Sequence, residues 1–106
     1  MPTITRRFKE GTWPQGQDEK IAYSVDTTPW GGTPAGLVVK VFDVTNQGQY
    51  ADVSGTCLSG SASASGNDII TPLVQALTPD HTYRLEVQWT NGGNTFEAYG
   101  IIKAEL

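Results

Sequence analysis

Between Leu77 and Val87 the chain reads Leu-Thr-Pro-Asp-His-Thr-Tyr-Arg-Leu-Glu-Val, and no other stretch restricts its fold as much. Leu77 and Pro79 make a Leu-x-Pro turn, and the strand that follows has Tyr83 as its first inward residue. This is the sequence form of a tyrosine corner, in which a phenol oxygen bonds to backbone a few residues upstream and pins a connection of a β-sandwich. Folds of this kind bind and build more often than they catalyse, and the fold alone does not choose among those roles.

The strand leaving the corner alternates strictly. Tyr83, Leu85, Val87 and Trp89 are interleaved with Arg84, Glu86, Gln88 and Thr90, the period of a half-buried strand. Asn91-Gly92-Gly93-Asn94 then offers the positive φ angles of a tight hairpin turn. With Gly92-Gly93 at its centre, Trp89 faces Phe96, Val87 faces Ala98, Leu85 faces Gly100 and Tyr83 faces Ile102. Any two-residue loop keeps this parity, whereas a three-residue loop swaps the faces. Leu77, Pro79, Tyr83, Trp89 and Phe96 are therefore expected to be structural, and Tyr99 and Ile101 to oppose the core.

Upstream, the basic run Arg6-Arg7-Phe8-Lys9, Gly11 and the Trp13-Pro14 step suggest a solvated N-terminal arm over residues 1–13. Ile21, Tyr23 and Val25 alternate with polar neighbours as a half-buried strand. Two prolines and three glycines around Trp30 make 27–36 a loop. Leu37 to Val44 reads as a central strand, with Leu37, Val39 and Val41 on one face and Val38, Phe42 and Val44 on the other. A weaker strand is expected around Tyr50 to Leu58, and a mobile loop over Ser59 to Asn67. Ile69 to Leu77 is a further strand, with Pro72 marking a sheet edge or bulge because it has no amide proton to donate.

No 3.6-residue period persists anywhere. These signals predict one all-β domain over residues 1–106, an immunoglobulin-like or fibronectin III-like β-sandwich of about six to seven antiparallel strands.

A formal charge of −4 argues against a nucleic-acid partner, which requires clustered Lys and Arg. Cys57 is the single cysteine, so no intrachain disulfide is expected, and a reduced compartment fits. No apolar run follows the N-terminal charges and no window reaches the ~20 apolar residues of a membrane helix, so neither a secretory signal nor a membrane partner is expected.

Catalytic chemistry is thinly represented. His81 is the lone histidine and sits in the corner turn, where a solvated structural role is expected; Cys57 reads as a small buried apolar residue. One of each cannot build a tetrahedral zinc site. Asp18-Glu19, Asp26, Asp43, Asp52, Asp68 and Asp80 fall at strand ends or turns, where Asp commonly caps its own backbone. None shows the spacing of a calcium loop. No cofactor and no enzymatic activity are expected.

The aromatics carry the functional lead. Trp13, Trp30 and Tyr50 could stack on sugar rings; the structural alternative has Trp13 and Trp30 plugging the ends of the sandwich. Phe42, Val44, Tyr99 and Ile101 together would make an apolar patch of the kind that marks a partner.

Phe8-Lys9, Trp13-Pro14, Asp18-Glu19, Tyr23-Ser24-Val25-Asp26 and Trp30-Gly31, read with the C-terminal strand and its Asn-Gly-Gly turn, resemble a group of small phage and prophage proteins. That resemblance implies an Ig-like sandwich encoded among virion assembly genes, a tail-side adaptor or fibre-associated structural protein. It brings no catalytic residues. The expected function is non-enzymatic assembly with other virion proteins or with itself, in the bacterial cytoplasm and then in the virion. Phe8, Trp13, Trp30, Tyr99 and Ile101 are the candidate interface. An accessory glycan-binding module is the second reading, and a hydrolase built on two converging carboxylates a third.

Overall fold

Strict alternation along the last two strands sets which way the molecule's main sheet faces. The computed structural model describes residues 3–28, 33–46 and 50–106, with side chains from residue 12 onward. In chain order the elements are β1 (Thr3–Gly16), β2 (Ser24–Asp26), β3 (Ala35–Asp43), β4 (Ala51–Asp52), the single helical turn α1 (Ser54–Cys57), β5 (Leu58–Ser59), β6 (Ser63–Ser65), β7 (Asp68–Ile70), β8 (Leu73–Val74), β9 (Thr82–Asn91) and β10 (Asn94–Glu105). One sheet has the order β1-β10-β9-β3-β4, a second the order β2-β7-β6, and β5 pairs with β8. A bridge between Ile21 and Val74 extends the second layer.

Gly92 and Gly93 adopt φ of 59° and 83°, so the turn between β9 and β10 has the positive angles its sequence implies. The register follows: Trp89 opposite Phe96, Val87 opposite Ala98, Leu85 opposite Gly100 and Tyr83 opposite Ile102. Every one of these inward residues is buried. Val25 of β2 and Ile69 of β7 close over Val87, Trp89, Phe96 and Ala98. The adjoining cluster joins Val41, Tyr83, Leu85, Ile102 and Ala104 to Cys57, Val74 and Leu77. The chain is all-β and sandwich-like, its core lying between the two layers.

At the corner the Thr78 N–H donates to the Tyr83 phenol oxygen at 2.8 Å. Leu77 is buried beneath it and Pro79 is half-buried. Asp80 takes φ of 69°, and its N–H bonds Ala104 O at 3.0 Å, tying the turn to the end of β10.

Four expectations are corrected. Residues 3–16 are not an arm but β1, which pairs with β10 in parallel from Thr3 opposite Thr95 to Gly16 opposite Glu105, with an irregularity between Arg7 and Thr12. The strands are thus not all antiparallel, and Arg6 and Arg7 lie in an edge strand that is paired on one side with β10. Cys57 lies in α1 rather than in a strand, because Val53 O accepts the N–H groups of Thr56 and Cys57 and winds the chain there. Ser63–Ser65, inside the stretch read as a loop, pairs with β7 across Gly66, whose φ is 60°. Low apolarity did not prevent pairing, since an edge strand can be held by backbone bonds alone.

Pro72 does interrupt its strand, dividing β7 from β8. The Tyr23 N–H donates to the Thr71 hydroxyl at 2.9 Å, and Tyr23 O accepts from Thr71 N–H at 2.8 Å, so the gap beside the proline stays hydrogen-bonded. A second polar clasp is Gln15, which is 1% exposed. Its Nε2 donates to Val74 O at 2.7 Å and Glu19 O at 3.1 Å, while its Oε1 accepts from the Tyr23 hydroxyl at 2.7 Å. Burial, with the charge of Glu19, pushes the Tyr23 phenol up to about 12.

Tyr83→Phe keeps the ring and deletes the corner bond, stranding the Thr78 N–H. A loss of about 1–2 kcal/mol in urea unfolding is expected, with the slope unchanged; an unaltered midpoint would show that the corner bond contributes nothing net.

Candidate functional site

The polar half of the β9 alternation points away from the core and builds the outer face of the five-stranded sheet. Register sets its rows. Glu97, Gln88 and Val38 lie across β10, β9 and β3; next come Tyr99, Glu86 and Lys40; then Ile101, Arg84 and Phe42, with Asp52 of β4 beyond. Val38 is 41% and Tyr50 60% exposed, while Phe42, Val44, Tyr99 and Ile101 are half-buried.

Arg84 organises this surface. Its guanidinium carbon stands 3.8 Å from the Tyr99 ring centroid and 5.9 Å from that of Tyr50, within the range of cation–π attraction. Tyr50 in turn leans on Phe42, centroids 6.2 Å apart. Arg84 Nε donates to Glu86 Oε2 at 2.6 Å. Glu86 is also hydrogen-bonded to Glu97, whose carboxyl is raised above the ordinary glutamate range by burial first, then by that bond and the charge of Glu86, against the opposing pull of Arg84 and Lys40. Val38, Lys40, Glu86, Gln88 and Glu97 line a shallow hollow of about 240 Å³.

The five candidate interface residues separate. Tyr99 and Ile101 share this outer face, Tyr99 beneath Arg84 and Ile101 in register with it. Trp13 is not part of it: it lies opposite Ile102, stacks on Tyr23 with centroids 4.6 Å apart and packs against the core cluster. The side chain of Phe8 and all of Trp30 lie outside the described residues. Sequence reasoning missed Lys40, Arg84, Glu86 and Glu97. Their signal was strand parity: even-numbered β9 and odd-numbered β10 residues share one side, and Lys40 falls on that side with Val38 and Phe42 of β3.

A second polar cluster lies at the end of β3. Asp43 Oδ2 meets His81 Nδ1 at 2.7 Å, and Asp43 Oδ1 accepts from Thr45 N–H at 3.0 Å and the Thr45 hydroxyl at 2.6 Å. Thr45 Oγ1 then accepts the Thr82 N–H at 2.9 Å. His81, expected as a solvated turn residue, is instead held by this carboxylate. Burial opposes ionisation of Asp43, but the bonds from Thr45 and His81 outweigh it and hold its carboxyl below the usual range. The hydroxyl in this cluster bonds the aspartate, and Cys57 stays buried with its thiol pushed up by burial and then by the charge of Asp43. Asp26 and Asp52 accept from Thr28 and Ser54 two residues on, the local capping their turns imply. Among the described residues no group of three or more His, Cys, Asp or Glu stands where it could hold a metal ion. No helix among them is long and apolar enough to cross a membrane.

Comparison with family models, with curated proteins and with solved structures finds no match to this chain.

Two outcomes test the electrostatics. Glu97 is raised, so its contribution to stability is present below the ordinary value of 4.5 and lost as pH rises through the folded value. Glu97→Gln should therefore raise stability at neutral pH in dilute solution, the gain fading below pH 4.5; a variant no more stable at pH 7 would contradict the strained pair. Asp43 is lowered, so its contribution is present above 3.8 and lost as pH falls through the folded value. Urea midpoints for Asp43→Asn should lie below wild type at neutral pH and converge with it at acid pH; parallel curves would refute the coupling.

Proposed function

We propose that this chain is an immunoglobulin-like sandwich that works without catalysis, as a phage or prophage virion structural or adaptor protein assembling through protein–protein contacts. The finer fold reading is supported by the layer contents. The last strand, the one before it and β3 share a sheet facing β2, β7 and β6, as strands G, F and C face B, E and D in such domains, and the tyrosine corner stands where they carry one.

One observation carries the functional reading: the outer face of the five-stranded sheet sets exposed Val38 and Tyr50 beside Phe42, Ile101 and an arginine clamped on Tyr99. Aromatic rings and arginine with apolar neighbours are the residue types that dominate protein interfaces. The glycan reading keeps Tyr50, whose ring is exposed, and loses Trp13 to the core; oligosaccharide titrations silent at millimolar ligand would remove it.

Purified particles from an induced culture of the source bacterium should contain this chain by mass spectrometry, and deletion of its gene should leave particles incomplete. Its absence from particles, with assembly unaffected by the deletion, would overturn the reading.

A further inference from the structure

We propose that the outer face of the five-stranded sheet docks a second copy of this chain, with Arg84 of each copy set against Glu97 of the other. This deepens the assembly reading above and rests on it.

Charge complementarity selects the occupant. The chain carries eleven acidic and seven basic residues, so two copies repel over most of their surfaces. On the outer face, however, Lys40 and Arg84 are interleaved with Glu86 and Glu97, making a patch whose charges balance. A two-fold interface brings one patch against itself and therefore needs a surface that is complementary to itself. This one holds both signs, flanked by exposed Val38 and Tyr50.

The register supplies the geometry. Arg84 lies opposite Ile101, but its guanidinium stands over the Tyr99 ring, two residues from Glu97 on that strand and about 7 Å along it at roughly 3.3 Å per residue. Between those two outward rows lies the inward pair Val87 and Ala98. A two-fold axis lying in the interface and crossing the strands at that inward row brings each Arg84 guanidinium onto the other copy's Glu97. Such an arrangement is reciprocal, with the same pair formed twice.

Each group also has capacity to offer. Arg84 is committed through Nε to Glu86, and among the described residues its terminal nitrogens have no hydrogen-bond partner, leaving the planar fork that matches a carboxylate. Glu97 is held against another carboxylate and would exchange that repulsion for a guanidinium. Tyr99 holds the guanidinium carbon 3.8 Å from its ring centroid, so little side-chain freedom remains to be lost on docking.

Sedimentation equilibrium from about 10 μM to about 1 mM, which spans the dissociation constants of weak complexes, should show a reversible dimer. Arg84→Glu and Glu97→Arg should each weaken it by at least about tenfold, and the double charge reversal should restore it to within about threefold. A monomer throughout that range overturns the dimer, as does a dimer indifferent to both reversals. Should a reversal prevent folding, amide shifts of the wild type on dilution decide: changes confined to Val38–Phe42, Arg84–Gln88 and Glu97–Ile101 support this face, and changes elsewhere refute it. The particle experiment is independent. A chain found in particles yet monomeric keeps the assembly reading and loses the dimer, whereas a dimer absent from particles does the reverse.

Discussion

The pairing of β9 with β10 is the constraint on which the remaining structure depends, because both neighbours of the main sheet are built on it. Gly92 and Gly93, at φ of 59° and 83°, close the hairpin with a loop length that leaves Trp89 opposite Phe96 and Tyr83 opposite Ile102. A slip of one residue would turn Tyr83, Leu85, Val87 and Trp89 to solvent and draw Arg84 and Glu86 inward, so register and core composition enforce one another. Once it is set, β3 adds to β9 and β1 to β10, and the second layer has one apolar surface to cover.

Backbone ladders alone do not join that second layer, since its strands are short and Pro72 breaks one of them. Side chains take over at the gaps. The Thr71 hydroxyl receives the Tyr23 N–H, Gln15 receives the Tyr23 hydroxyl and reaches Val74 O, and Tyr83 receives the Thr78 N–H. Each of these groups serves a backbone or phenol partner that burial would otherwise leave unsatisfied, at a cost of about 1–3 kcal/mol. The Asp43–Thr45–His81 cluster does similar work where β3 ends, linking it to the strand that leaves the corner.

The same alternation that fills the core necessarily produces the outer face. It concentrates Arg84, Glu86, Lys40 and Glu97 on neighbouring strands, where the two glutamates share one small region and Arg84 stands over Tyr99. The surface combines like charges held close together, an arginine and exposed apolar side chains. That is the physical basis of the proposal that it is an assembly surface.

Much was legible in the residues themselves because it depends on neighbours close in sequence. The corner from Leu77 to Tyr83, the glycine turn, the facing pairs of the hairpin, the interruption at Pro72 and the capping by Asp26, Asp43 and Asp52 all follow from local stereochemistry and a period of two. Tertiary structure decided what depends on partners far along the chain. Whether Thr3–Gly16 stands free or pairs in parallel with β10 turns on an edge formed ninety residues later; whether Trp13 faces outward turns on Tyr23 being there to stack upon. The clasping of His81 by Asp43, and the meeting of Glu86 with Glu97 beside Arg84, likewise arise from the order of strands in the sheet, which no local pattern encodes.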